Sequence, residues 1–282
     1  MSEAIVARNV TKKFGNLYRS SPRRISDASP VGYPLIGGLQ PELSALEDVT
    51  FQVGTGEIFG MVGPHGSGKT TLIHLLGGLL PPDRGTIHIF GYDIARQPGQ
   101  AHAMTNRISG QASFFQRLSA VENLVYGIKQ AGLNNLTARE RAADLLVQLG
   151  VQPHEMNLPL VSLPRAAYQK VALASALLPQ PRLLLLDEPF KEMDRSGRQS
   201  AERLLKKLSE CDGVTILFAT RDLAEARLFC NRLAQLEKGC IIGEEGPEIR
   251  SSRQSSLPSR LDQSNAFQDS IPRNEIWQEE CV

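Results

Sequence analysis

Short apolar runs of strand length alternate along this chain with longer stretches of helical periodicity. Ala4–Val10 reads as a short strand, and Ala45–Val53 as another, with apolar Leu46, Val49, Phe51 and Val53. Glu57–Val62 reads as a more buried strand that runs into a glycine-rich loop, with a helix predicted from about Lys69 to Leu79. Gly85–Phe90 is a further strand. From about Ser119 to Leu178 the pattern is mostly helical: one helix opens near Glu122, Asn123 and Leu124, and another covers Arg139–Leu149. Arg182–Leu186 and Val214–Phe218 are short apolar runs of the kind found at the centre of a parallel sheet, where both faces are covered. Helix and strand then alternate to about Glu245.

Two stretches break this rhythm. Residues 15–44 are rich in Ser, Pro, Gly and Arg and read as a loop insertion. From Pro247 onward the chain is polar and rich in Ser and Gln, which predicts a mostly disordered tail over 247–282. Ile276 and Trp277 are the one candidate docking element within it. No internal repeat is found.

Composition narrows the function classes. The 282 residues are 41% apolar, enough for a buried core, and no apolar run approaches the roughly 20 residues that span a bilayer. The opening MSEAIVARNV lacks the basic flank and apolar core of a signal peptide. The chain therefore reads as soluble by itself, so that work at a membrane requires spanning helices from another chain. A formal net charge of +1 gives no general attraction to nucleic acid, and no nucleic-acid partner is expected. Cys211, Cys230, Cys240 and Cys281 form no CxxC pair and read as reduced thiols.

The candidate chemistry begins at Gly63-Pro64-His65-Gly66-Ser67-Gly68-Lys69-Thr70-Thr71, which fits GxxxxGK[ST] between a strand and a helix. Glycines let successive backbone N–H groups turn inward around phosphate oxygens, and the helix N-terminus adds its positive dipole end. Lys69 should reach the β- and γ-phosphates, and the Thr70 hydroxyl should coordinate magnesium. Downstream, Leu183–Leu186 place Asp187 at the carboxyl end of a central strand, where open α/β sheets bind ligands. Asp187 is placed to hold magnesium, directly or through water, and Glu188 to polarise an attacking water. The ligands read from these residues are ATP and Mg²⁺.

With these motifs in order, the sequence resembles the ATPase subunits of ABC transporters over roughly residues 4–245. Val10-Thr11-Lys12-Lys13-Phe14-Gly15 is similar to the family's first strand, with Phe14 at the position of the adenine-stacking aromatic and Tyr18 a rival for that place. Gln111 occupies the position of the glutamine that senses magnesium and the γ-phosphate, and LSAVENL follows it. QKVALASALLPQPRLLLLDEP resembles the run from signature helix to catalytic glutamate, and Asp194 matches the D-loop aspartate. The resemblance implies an α/β fold: a RecA-like P-loop NTPase core, an antiparallel β layer and an inserted helical subdomain at about 112–178, all within an ATPase domain spanning 1–246. It also implies a head-to-tail dimer of ATPase subunits with ATP sandwiched between them. A transmembrane permease would couple to the helical subdomain, holding the chain on the cytoplasmic face of the membrane. The wording around IFG, ISGQ and LSAVENL most resembles bacterial exporters with separate ATPase and permease chains.

Three departures stand out. Where the family carries Leu-Ser-Gly-Gly-Gln, this chain has Leu163, Pro164, Arg165, Ala166 and Ala167, unless a slip of one or two residues makes Ser162 the serine. Pro164 has neither hydroxyl nor N–H, and Arg165 and Ala166 bring Cβ atoms to positions of close approach. Arg221 stands where the family has a histidine that contacts the γ-phosphate. It is expected either to stabilise phosphate charge, alongside Glu188, Lys69 and Gln111 as the catalytic set, or to pair with a neighbouring carboxylate such as Asp222 or Glu225. His65 stands where asparagine is common, with little consequence expected. A homodimer would carry the two large departures in both composite sites, whereas a heterodimer would divide them. A second, different ATPase subunit is therefore the favoured partner, and slow hydrolysis by the isolated chain is expected.

Overall fold

The computed structural model describes residues 2–14, 43–108, 114–130 and 137–246. In chain order the elements are β1 (Glu3–Phe14), β2 (Leu43–Gly54), β3 (Ile58–Val62), α1 (Lys69–Leu76), β4 (Arg84–Ile89), β5 (Tyr92–Asp93), α2 (Pro98–Met104), β6 (Thr105–Ile108), α3 (Ala120–Gln130) and α4 (Ala138–Gln148). A 3₁₀ turn (Leu160–Ser162) follows, then α5 (Arg165–Leu177), β7 (Leu183–Asp187), α6 (Arg195–Asp212), β8 (Thr215–Thr220), α7 (Leu223–Phe229), β9 (Arg232–Glu237) and β10 (Cys240–Glu245).

The strands form two sheets. One is antiparallel, in the order β2-β1-β4-β5, and the other runs β10-β9-β3-β8-β7-β6 with only β10 antiparallel to its neighbour. Side chains on a strand alternate between faces, and here both faces of the larger sheet are covered. Leu184 and Leu186, with Ile58, Ile216 and Phe218, face a core shared with α3, α4, α5 and α6. Leu183 and Leu185, with Phe59, Met61 and Leu217, face a second core closed by α1 and the antiparallel sheet. That explains why the β7 and β8 segments read as unbroken apolar runs. Gly60 lies within β3, where an added Cβ would come 2.9 Å from the Cys230 sulfur, so the packing of α7 against the sheet depends on the missing side chain.

Several elements differ from the expectation. β1 extends to Phe14, and β2 starts at Leu43, directly across the ladder from it, so Leu43 and Ser44 belong to the sheet and not to the insertion expected over 15–44. The irregular spacing from Leu46 to Val49 marks a register shift: Asn9 and Asp48 both have positive φ (51° and 52°), and the Asn9 amide donates to Asp48 at 2.7 Å. The first helix ends at Leu76, not Leu79, because Gly77 caps it and Gly78 turns left-handed (φ 66°). The helical stretch is interrupted over 149–164, where Gly150 (φ 74°) ends α4 and the 3₁₀ turn intervenes. Short α2 and β6 carry too little periodicity to be read in advance. Tyr18 and the rest of 15–42, Gln111, and the predicted tail with Ile276, Trp277 and Cys281 lie outside the described residues.

Candidate functional site

Three strands end together. In the parallel ladder Val62 pairs with Thr220, and Asp187 pairs with Ala219, so Gly63, Glu188 and Arg221 emerge side by side at the carboxyl edge of β3, β7 and β8. The Gly63 N–H donates to the Thr220 carbonyl (3.3 Å), and the Glu188 N–H to the Ala219 carbonyl (2.9 Å). Because the chain leaves β3 for the far edge strand β6 and returns through β7 and β8, this edge is the reversal point of the strand order, where doubly wound sheets bind ligands.

The loop from Gly63 to Gly68 is held by backbone from both sheets. An added Cβ at Gly63 would lie 2.1 Å from the Leu236 carbonyl oxygen. At Gly68, with φ 108°, it would lie 2.4 Å from the Ala45 carbonyl oxygen. No side chain caps the N-terminus of α1, so its first N–H groups remain available to an anion. Lys69 is buried and folds back across the loop, donating to the carbonyls of Gly63 and Pro64 (both 2.8 Å) and to Ser67 Oγ (3.2 Å). Burial pushes its ammonium down from the ordinary lysine range; Glu188 and Asp187 act against this, and Arg221 adds to it.

Thr70 Oγ1 donates to Asp187 Oδ2 at 2.7 Å, so the two oxygens expected to hold magnesium already meet. Among the described residues no three His, Cys, Asp or Glu side chains cluster to hold a metal. An oxygen pair of this kind fits magnesium, which takes one or two protein oxygens and completes its shell with phosphates and water. Phe14, Ser44, Ala45 and the loop from His65 to Thr71 line one cavity of about 340 Å³ together with Asp187 and Glu188. A second cavity of about 510 Å³ continues from Thr70, Asp187 and Glu188 to Gln169, Lys191, Glu192 and Arg221. Phe14 is 43% exposed, and Lys12 Nζ lies 5.9 Å from its ring centroid.

Arg221 does not pair with either carboxylate expected of it. Asp222 caps α7, accepting from the Ala224 and Glu225 N–H groups, while Glu225 accepts from the Thr220 hydroxyl and pairs with Arg198. The guanidinium instead forks onto Glu188: Nε to Oε1 at 2.6 Å and Nη2 to Oε2 at 3.0 Å. Glu188 itself has φ 46°, a left-handed backbone that a glutamate adopts only when its surroundings hold it there. Lys191 Nζ approaches the same carboxylate at 3.8 Å. Sequence reasoning missed Lys191, Glu192 and Gln169 as cavity residues; the only signal was their place beside the DEP run and on the helix leading to it.

At the head of α5, Pro164 stands at the cap position with extended backbone (ψ 154°) and makes no side-chain cap. Arg165 begins the helix, largely exposed, 3.7 Å from Glu192. Ser162 is exposed in the 3₁₀ turn, two residues before that cap. Gln169 Nε2 donates to the Pro189 carbonyl (2.9 Å), tying α5 to the segment after Glu188.

A strand, a glycine loop, a helix N-terminus and a carboxylate at the end of a neighbouring strand define a P-loop nucleotide-binding protein, and the fold is that of P-loop NTPases. The sequence pattern of the ABC transporter family matches residues 46–191, and the chain belongs to that family. It is 34% identical over 197 residues to a spermidine/putrescine import ATP-binding protein PotA of Protochlamydia amoebophila, covering 70% of this chain and 52% of that protein. It is 32% identical over 203 residues to the doxorubicin resistance ATP-binding protein DrrA of Mycobacterium tuberculosis, covering 72% of this chain and 61% of that one. The chain thus spans about half to three-fifths of the length of these two relatives. The fold also matches the dimeric post-hydrolysis structure of the ATP-binding cassette MJ0796 bound to ADP and Pi, with a TM-score of 0.70, 25% identity, and coverage of 86% of this chain and 98% of that one.

Proposed function

We propose that this chain binds Mg-ATP and hydrolyses it slowly, as one ATP-binding subunit of a transporter whose permease is a separate membrane chain. The observation that carries this reading is the convergence of Lys69, Thr70, Asp187 and Glu188 at one sheet edge, with oxygens of Thr70 and Asp187 already in contact. The loop N–H groups and Lys69 bind the phosphates, Phe14 stacks on the base, and Glu188 polarises the attacking water. Gln111 acts with them in the reading taken from the family resemblance. Magnesium, held by Thr70 and Asp187, would neutralise phosphate charge.

The ATPase domain spans 1–246, with its helical subdomain at about 112–178 and a tail over 247–282. Among the described residues no helix is long and apolar enough to cross a membrane. Attachment to the cytoplasmic face through a permease is the placement we favour, on the family resemblance. Export is the direction we favour, on the resemblance around IFG, ISGQ and LSAVENL and the likeness to a drug-resistance protein, although the PotA relative is an import protein. A mixed ATPase dimer is the assembly we favour, because it divides the altered signature loop and Arg221 between two sites.

A second reading, a regulatory ATP-binding subunit with almost no turnover, is favoured by Pro164, Arg165 and Ala166 at the head of α5. Lys69→Ala tests the shared basis of both readings. Removing the ammonium should abolish tight ATP binding in a titration, and unchanged affinity would remove the phosphate site from consideration. Steady-state turnover of the wild type, with Glu188→Gln as background control, then separates an ATPase from a regulatory binder.

A further inference from the structure

Arg221 and Glu188 stand at the same sheet edge, and the fork between them engages both carboxylate oxygens. Both side chains line the cavity that Thr70, His65 and Asp187 also line. Arg221 is 45% exposed and Glu188 23%, so the guanidinium is the more accessible partner of the pair. Glu188 is fixed further by its N–H bond to Ala219 and by its left-handed backbone. The Nε/Nη2 edge that holds Glu188 is a planar fork that fits a phosphate as well as a carboxylate, and that one edge cannot hold both at once.

We infer that Arg221 is a positioning residue that latches Glu188 until the terminal phosphate of a nucleoside triphosphate draws the guanidinium away. The inference rests on the reading that this cavity takes ATP. Without nucleotide, Arg221 holds Glu188 turned toward itself, and its oxygens are committed to N–H donors. A terminal phosphate seated over Lys69 and Thr70 enters the same cavity as a competing anion. Transfer of the fork to that phosphate leaves Glu188 free to accept a hydrogen bond from water. No bond is made or broken in the exchange, and the net charge in the cavity changes only by that of the nucleotide. A nucleoside diphosphate lacks the competing group and leaves the latch closed, so the device makes the site respond to the triphosphate.

The test is a double-mutant cycle in the full chain: Arg221→Gln, Glu188→Gln and both together, with Mg-ATP and Mg-ADP affinities measured by titration. Glu188→Gln weakens the latch and should tighten ATP by about tenfold, the factor that corresponds to one charge-assisted hydrogen bond exchanged. ADP should be little affected. In the Arg221→Gln background the same change should tighten ATP by less than about twofold, because no latch is left to release. Arg221→Lys, which keeps the charge without the fork, should behave like Arg221→Gln in this cycle. Equal tightening of ATP by Glu188→Gln in both backgrounds would show simple charge repulsion and overturn the latch. So would equal tightening of ADP and ATP. If the wild type binds ATP in a Lys69-dependent way while the coupling is absent, the latch alone falls; if no form binds ATP, the nucleotide site falls with it.

Discussion

Gly63 and Gly68 are glycines because backbone of other strands passes through the space their side chains would fill. Leu236 of β9 crowds Gly63, and Ala45 of β2 crowds Gly68, which also needs a left-handed φ. The loop's shape is therefore imposed by strands distant in sequence. Phe14 shows the converse, a large ring left partly exposed at the end of β1, beside the loop it would serve. Stacking on a base predicts that Phe14→Ala weakens ATP about three- to tenfold, the range expected for one aromatic contact, and leaves inorganic triphosphate unchanged. Equal weakening of both ligands, measured in parallel titrations, would assign Phe14 to the shape of the loop instead.

At the scale of elements, the head of α5 is where the expected departure from the family's signature motif falls. Its head is built of Pro164, Arg165 and Ala166, tied to the segment after β7 through Gln169 and Pro189 and through Arg165 and Glu192. A proline at the cap offers no hydroxyl and no N–H, whereas a serine there would offer both. Loss of one preorganised donor at a transition-state site costs about 10²–10³ in rate. Rewriting residues 164–167 as Ser-Gly-Gly-Gln is accordingly expected to raise turnover by about tenfold or more in a phosphate-release assay, with Arg165 offsetting part of the original loss. Two glycines in the first turn should also cost about 1–2 kcal/mol of stability, visible in a denaturant titration. Turnover that is already at ordinary enzyme rates and is unmoved by the rewrite would remove the signature loop as a defect.

Over the whole molecule, the two cores divide the labour. One joins α1 and the antiparallel sheet to one face of the parallel sheet, and the other joins α3, α4 and α5 to its opposite face. The strands that end at Gly63, Glu188 and Arg221 contribute side chains to both cores. The proposed assembly predicts that affinity purification of this chain from its native membrane yields a polytopic membrane protein and a second ATP-binding chain. Recovery of the permease with copies of this chain alone would replace the mixed dimer with a homodimer. The glycine loop, the LLLLDEP run and the alternation of apolar segments were legible in the sequence, because strand period, turn chemistry and the reach of Lys69 and Thr70 are local properties. The extent of β1, the register shift at Asn9 and Asp48 and the short β6 were not, because they depend on pairing between distant strands. The partner of Arg221 was the sharpest case. Local spacing pointed to Asp222 or Glu225, but helix capping engages the first and Arg198 and Thr220 the second. The register of β7 against β8 then brings Glu188, distant in sequence, within reach of the guanidinium. Sequence alone determined which chemical groups are present, while tertiary structure decided which of them meet, because ladder register sets their separation and chain distance does not.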